Sequence, residues 1–283
     1  MNAPSPPDRY AVIGFPVKHS LSPFIHGMFA KQTEQNMSYR MLEIAAQNLD
    51  EDVKKFFLTG GKGLNVTIPH KQAIVPLCKF RTSRVERARA ANTLVLQDNG
   101  LVLGDNTDGV GLVADLRKMG FELQGKRLLL LGAGGAARGA LGPLLEQSPS
   151  LIHILNRDAV KAQSLADEFN DLGELAGDGF DAADGTAYDL IINATAASLQ
   201  GKMPPIASTT VGRHTLCYDM AYGKEDTPFT SWAKEHRAAA AELGWGMLVE
   251  QAAESFYLWR GVRPDTAPVL KAVKSPTPQR AMP

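Results

Sequence analysis

A chain of 283 residues with 30 basic and 30 acidic side chains carries no net charge, and its pI lies near 7.0. With 44% hydrophobic and 21% charged residues it has ordinary globular usage, which excludes a disordered or collagen-like chain and gives no overall pull toward nucleic acid or an anionic membrane. At about 150 residues per domain the length suggests two domains, large enough to fold without a disulfide or a metal.

Pro4, Pro6 and Pro7 at one end, and Pro276, Pro278 and Pro283 at the other, predict frayed termini. The opening MNAPSPPDRY lacks the cationic segment and apolar run of a secretory signal, and no stretch approaches the roughly 18 apolar residues of a membrane helix. Short apolar runs alternate with helical patterns through the front third. YAVIG, YRMLEI, GLNVTI and NTLVLQ read as strands, and residues 23–34 and 47–58 as helices. LQDNGLVLG reads as a hairpin turning at Asp98–Gly100, where Asn-Gly suits the turn. Cys78 and Cys217 fit neither a disulfide framework nor a metal spacing, so they are expected as reduced thiols of a cytoplasmic protein. The six histidines form no metal-like cluster, and no metal site is expected.

A second regime starts near residue 107. TDGVGLVADLRKMG is helical and stops at Gly120. KRLLLLGAGGAARGALGPLLEQ then reads as buried strand, glycine turn and helix. LIHILN, YDLIINAT and HTLCYDM follow as strands, with helices over 158–169 and 229–241. Unbroken apolar runs of this kind belong to strands covered on both faces, hence to a parallel sheet. Residues 246–261 and 266–274 read as a helix pair, which needs an apolar surface to cover and is placed on the front domain.

Gly132, Gly134 and Ala137 form G-x-G-x-x-A between the LLLL strand and its helix. The first glycine permits the tight turn, the second lets a pyrophosphate approach the backbone, and the small third residue lets the helix pack closely. The helix N-terminus then holds the anion. The next strand ends at Asn156-Arg157, where an NAD-selective site would carry an acid for the ribose hydroxyls. A cation here, with Lys161 four positions on, points to the 2′-phosphate of NADP. Asp158 pulls the other way, although an acid at a helix start is also favoured for its own sake.

The remaining polar candidates lie in front. Ser20 and Ser22 precede a helix they could cap. Asn65 and Thr67 share one face at a strand end. Lys71 is expected at a helix start, where a cation opposes the dipole. Asn92 opens a strand, and GDNTDG (104–109) carries two acids around a turn, of which Asp108 could be a helix cap. Calcium does not suit this turn, because Gly104 and Asp115 stand where an EF-hand needs an acid and a Glu.

Taken in order, HSLSP (19–23), GGKGLNVTIPHK (60–71), AANTL (90–94), GDNTDG (104–109), GAGGAARG (132–139), NR (156–157), INAT (192–195), YDMAY (218–222), TPF (227–229) and GWGMLVEQAAESF (244–256) resemble the shikimate dehydrogenase family nearly end to end. The resemblance implies a two-domain α/β fold. An α/β substrate domain (8–106) is joined by C-terminal helices that fold back onto it (244–275). An inserted Rossmann-like dinucleotide domain with a parallel sheet occupies 107–243. It implies NADPH-dependent reduction of 3-dehydroshikimate to shikimate, on the route to chorismate and aromatic amino acids, by a monomer or homodimer with a small-molecule substrate and neither a nucleic-acid nor a membrane partner.

Carried over motif by motif, Lys71 and Asp108 are the implied catalytic pair, Asp108 accepting a hydrogen bond from Lys71. Ser20 and Ser22 are implied for the substrate carboxylate. Asn65, Thr67, Asn92, Asp108 and Gln251 are implied for its hydroxyls, with Tyr222 completing the pocket. Gly132, Gly134, Gly135, Ala136, Asn156, Arg157, Lys161, Thr195, Met220 and Gly244 are implied for NADP, with Met247 near the nicotinamide. Two departures stand out: Asp158 replaces the family's usual Thr after Asn-Arg, and Ala196 and Ala197 replace serine-rich sequence after INAT. Two other readings stay open, a dual quinate/shikimate dehydrogenase accepting NAD, which Asp158 favours, and a catalytically silent NADP-binding regulator.

Overall fold

The computed structural model of the chain describes residues 5–183 and 185–275; Pro4, Pro276, Pro278 and Pro283, expected to be frayed, lie outside them. The chain forms two units, one from the residues up to Thr107 together with those from Val249 onward, the other from Asp108–Leu248.

The first unit begins with β1 (Asp8–Gly14), α1 (Ser22–Gln32), β2 (Met37–Glu43), α2 (Leu49–Leu58) and β3 (Gly61–Val66). It continues with a two-residue β4 (Phe80–Arg81), α3 (Ser83–Ala88), β5 (Thr93–Leu96) and β6 (Val102–Asp105). The strands lie in the order β2-β1-β3-β5-β6-β4. β1 is parallel to β2 and β3, whereas β5 is antiparallel to both β3 and β6. The expected hairpin joins β5 to β6, with Gly100 at φ +77° and the Leu101 amide donating to Asn99 Oδ1 at 3.0 Å. Register puts Asn65 opposite Thr93, and Thr93 opposite Asp105, so three polar residues sit in line across β3, β5 and β6. The core beneath them is apolar, with Ile13, Leu64, Val66, Ile74 and Leu94 buried. α3 was not expected from sequence; six residues are too few for a clear period, and Thr82 caps them by accepting from the Val85 amide.

The second unit holds α4 (Asp108–Lys118), β7 (Arg127–Leu131), α5 (Gly135–Leu145), β8 (Leu151–Leu155), α6 (Ala159–Phe169), β9 (Leu175–Asp178), β10 (Leu190–Asn193), β11 (Leu216–Asp219), α7 (Pro228–Glu235) and β12 (Ala240–Leu243). Its sheet runs β12-β11-β10-β7-β8-β9, and every pairing is parallel. This is the doubly wound order with its reversal between β7 and β10, where ligands bind beyond the strand C-termini. One expectation needs correction, and one strand was not expected. The helix expected over 229–241 ends at Glu235: His236 caps it and Arg237 turns left-handed at φ +61°, after which Ala240–Leu243 pairs with β11 as an edge strand. β9, with Gly177 inside a four-residue run, carried no periodic signal.

The helix α8 (Trp245–Arg260) carries the chain back to the first unit, and α9 (Ala267–Lys274) follows. In the first unit Trp259 Nε1 donates to the Leu94 carbonyl at 2.9 Å, Arg260 pairs with Asp8, and Gln32 exchanges two hydrogen bonds with the Asp265 backbone. Ala252, Ala253 and Phe256 are buried in the cover so formed.

Candidate active site

In the first unit the expected polar residues form one hydrogen-bonded group at the end of the sheet where β3 and β6 finish. Asn65 Nδ2 donates to the Asn92 carbonyl (3.2 Å), Thr93 Oγ1 (3.2 Å) and Ser255 Oγ (3.0 Å), while its Oδ1 accepts from the Tyr39 hydroxyl at 2.7 Å. Asn92 Oδ1 accepts from the Thr107 amide and from Thr93 Oγ1, both at 2.9 Å, and its Nδ2 donates to Thr107 Oγ1 at 2.9 Å and Gln251 Oε1 at 3.4 Å. Asn65, Asn92, Thr93 and Thr107 are all buried. Burying so many polar groups is tolerable because they satisfy one another. Thr67 lies just past β3, and its hydroxyl makes no hydrogen bond to a described residue.

Ser20 and Ser22 do not play the capping role open to them. The residue at the cap position of α1 is Leu21, with no side-chain cap; instead Ser20 Oγ accepts from the Ser22 amide at 3.3 Å and lies 3.1 Å from Ser22 Oγ. Lys71 needs a correction. It sits in a run of turns over 68–74, not at a helix start, so the dipole argument for it lapses; its carbonyl accepts from the Ala91 amide at 2.8 Å. Of the two acids in GDNTDG, Asp105 is structural: Arg84 grips both of its oxygens (2.9 and 2.6 Å), and Thr82 Oγ1 donates to it at 2.7 Å. Asp108 is the first residue of α4 and buried, and it belongs with Tyr222 to the second unit. Tyr222 is exposed, its ring 5.0 Å from that of Trp245.

The second unit forms the dinucleotide turn. Gly132 takes φ +105°, a conformation that disfavours any side chain, and its amide donates to the Leu155 carbonyl at 2.7 Å. A Cβ there would meet Thr195 Cγ2 at 3.1 Å and the Ala194 carbonyl oxygen at 3.3 Å, so the turn after β7 faces the turn after β10 across the reversal. Gly134 precedes α5 in extended conformation, and around both Gly134 and Gly135 a Cβ would meet nothing within 4 Å. With Ala136 they are exposed, whereas Ala137 is buried against the sheet. An open helix N-terminus flanked by glycines is the geometry that fits a pyrophosphate.

Beyond β8, Asn156 Nδ2 donates to the Asp158 carbonyl at 3.0 Å, and Arg157 is exposed and makes no ion pair with a described residue. The competing acid is otherwise engaged: Asp158 caps α6 by accepting from the Lys161 amide at 3.4 Å, and Lys161 Nζ lies 3.8 Å from its other oxygen. Lys161 thus faces Asp158, whereas Arg157 has no ion-pair partner among the described residues.

Thr195 Oγ1 donates to Asn193 Oδ1 at 2.7 Å, and Ser198, which follows Ala196 and Ala197, donates to Asp219 at 2.6 Å. The Met220 amide donates to the Asn193 carbonyl, and a Cβ at Gly244 would overlap the Met220 carbonyl. The Met247 amide donates to the Tyr218 hydroxyl at 3.2 Å, which donates to Asp115 at 2.7 Å. Sequence reasoning missed Tyr39, Thr93, Thr107 and Ser255 in the first unit and the buried Asp219 in the second. Thr93 and Thr107 lie within motifs already singled out, and Ser255 follows Gln251 by one helical turn; nothing in the pattern of β2 marks Tyr39.

Family models match three stretches: residues 12–94 the shikimate dehydrogenase substrate binding domain, 115–202 shikimate / quinate 5-dehydrogenase, and 244–274 the shikimate 5′-dehydrogenase C-terminal domain. A shikimate dehydrogenase (NADP(+)) of Aeromonas salmonicida is 52% identical over 267 residues, covering 94% of this chain and 97% of the relative. Among solved structures, an enzyme from Pseudomonas putida is 44% identical with a TM-score of 0.90, covering 95% of this chain and 99% of that one. A shikimate 5-dehydrogenase of Thermus thermophilus in complex with NADP(H) and shikimate is 29% identical, with a TM-score of 0.84 and coverage of 94% and 98%.

Proposed function

The chain belongs to the shikimate dehydrogenase family, and on that premise we propose which of its residues carry out the family's reaction. It is an oxidoreductase that reduces 3-dehydroshikimate to shikimate reversibly with NADPH, on the route to chorismate and the aromatic amino acids. The observation that carries the assignment of roles is the mutually satisfied run of neutral side chains joining Tyr39, Asn65, Asn92, Thr107 and Gln251. Short neutral donors and acceptors in number are what a polyhydroxylated ring needs.

The residues present fit NADP: the left-handed Gly132, the open space at Gly134 and the exposed Arg157 suit its pyrophosphate and 2′-phosphate. Gly135, Ala136, Asn156, Thr195, Met220, Gly244 and Met247 complete the proposed cofactor set, with Lys161 in a lesser part. When bound, the nicotinamide supplies or accepts the hydride. Charge then develops on the ketone oxygen, and Lys71 Nζ donates the proton that neutralises it; in the reverse direction the same nitrogen takes the proton from the hydroxyl. Asp108 completes the catalytic pair and holds a ring hydroxyl by accepting from it. Ser20 and Ser22 turn their hydroxyl protons to the substrate carboxylate, Asn65, Thr67, Asn92 and Gln251 bind the remaining hydroxyls, and Tyr222 closes against the ring.

We assign substrate binding to residues 8–106 with the helices of 244–275, and NADP binding to 107–243. A cytoplasmic monomer or homodimer accords with two buried free cysteines. The dual-specificity alternative drew on Asp158, whose carboxylate is turned to α6 and Lys161. The test is absorbance at the NADPH band with purified protein. Turnover is expected with shikimate and NADP, and far less with NAD or quinate. No turnover with either substrate would leave a silent NADP-binding protein in its place.

A further inference from the structure

Tyr39 on β2 is absent from the roles assigned so far, yet it is hydrogen-bonded to a residue that carries one. Its hydroxyl donates to Asn65 Oδ1 at 2.7 Å. The direction of this bond is fixed. Asn65 Nδ2 faces the Asn92 backbone carbonyl, which can only accept, so the amide cannot be flipped and Oδ1 must be the atom facing Tyr39. An amide oxygen cannot donate, so the phenol proton is committed to Asn65. Burial holds the Tyr39 phenol well above its usual range, which keeps that proton in place.

The ring is held as firmly as the hydroxyl. His26 stacks on Tyr39 with centroids 4.3 Å apart and planes within 9°. His26 is fully buried and neither ring nitrogen has a geometrically sound hydrogen bond. The imidazole is packed between Tyr39 and Phe29, face to face with the first and edge to face with the second. Phenylalanine could fill such a slot, but a phenylalanine at 39 could not orient the amide.

We propose that Tyr39 is a positioning residue for the substrate: stacked on His26, it fixes the Asn65 amide so that a ring hydroxyl of shikimate must donate to the remaining lone pair of Asn65 Oδ1. With both Nδ2 protons already held by Asn92, Thr93 and Ser255, Asn65 can act toward substrate only as an acceptor. The inference rests on the proposed role of Asn65 and deepens it. It makes the site discriminate by proton direction: a ring substituent that can only accept, such as a ketone or an ether oxygen, is refused where a hydroxyl is taken.

The experiment compares wild type, Tyr39→Phe and Asn65→Ala for steady-state oxidation of shikimate, 4-deoxyshikimate and 5-deoxyshikimate with NADP, alongside thermal melting of each protein. Tyr39→Phe keeps the ring and its stack and should melt near wild type. A neutral hydrogen bond contributes a factor of about three to ten, so KM for shikimate should rise by about that much with kcat within about twofold of wild type. The same substitution should leave KM unchanged for whichever deoxy analogue lacks the hydroxyl that Asn65 accepts. Raised KM for Asn65→Ala beside unchanged KM for Tyr39→Phe overturns the inference and leaves the role of Asn65 standing. An equal rise in KM for shikimate and both analogues also overturns it, since Tyr39 then only supports the fold. Unchanged KM in Asn65→Ala removes the role of Asn65 itself and the inference with it.

Discussion

The two units meet their ligands with opposite physics. In the first, the groups proposed for substrate are buried neutral side chains whose bonds are already made: Asn92 Oδ1 alone serves both Thr107 and Thr93. In the second, the groups proposed for the dinucleotide are exposed: bare backbone at Gly134 and Gly135, and a guanidinium, Arg157, with no described partner. The first arrangement costs its ordering at folding and discriminates among small polyols by proton direction. The second attracts an anion through charge and tolerates changes in side chain, so long as the turn survives. On the roles proposed above, specificity for the sugar-like ring belongs to the core of one unit, and affinity for the phosphates to the surface of the other.

The largest effect expected is on chemistry. Lys71→Ala should cost ~10²–10⁴ in kcat while calorimetric binding of shikimate largely survives. Abolished binding in a folded variant would move Lys71 from proton donor to binding group and blur the contrast. Next, Arg157→Ala should weaken NADP about ten- to a hundredfold and leave NAD nearly unchanged. Because the contact is exposed, the ratio should shrink as salt rises from low to about 1 M; a salt-independent loss would mean the second unit is less open than it looks.

A third expectation probes the buried side. Burial pulls the His26 imidazole down to about 3 from its usual 6.5. Between those values the unfolded chain takes up a proton that the folded chain refuses, so stability is whole above pH 6.5 and is lost as pH falls toward about 3. The slope from this one group is about 1.4 kcal/mol per unit at most. Urea denaturation of wild type and His26→Leu from pH 7 to pH 5 should show the shallower slope in the variant, and parallel slopes would show that His26 is hydrated. The smallest effect is at Asp158. Threonine there keeps a cap for α6 and removes a negative charge beside Arg157, so Asp158→Thr should lower KM for NADP about two- to fivefold at fixed ionic strength. Alanine in its place should also cost about 1 kcal/mol of stability through the lost cap.

Legibility in the sequence followed the same division. The dinucleotide turn was readable because its demands are local: a strand, a left-handed glycine and a helix start fall within ten residues of LLLLGAGGAA. So was the hairpin at Asn99-Gly100. β12 was hidden because Ala238, Ala239, Ala240 and Ala241 favour helix, and only pairing with β11 makes a strand of them. Lys71 was expected at a helix start and sits in successive turns instead, since nothing local distinguishes the two. Tyr39 and His26 were invisible. Their partners are 26 and 13 residues away, and no spacing rule connects an edge strand to the amide it orients.

Four strands bound the two sheets, and they are not equally protected against pairing with another chain. β4 has two residues, and β9 and β12 have four each, ending in Asp178 and carrying Glu242 respectively. β2 has seven, and its Met41 is 42% exposed. Along it only Arg40 and Glu43 put charge on the rim. Aggregation by strand addition therefore has one favoured entrance, and Arg40 is its gatekeeper. The same strand carries Tyr39, so a sequence drifting toward an apolar edge would put at risk both the solubility of the chain and the aim of its substrate pocket.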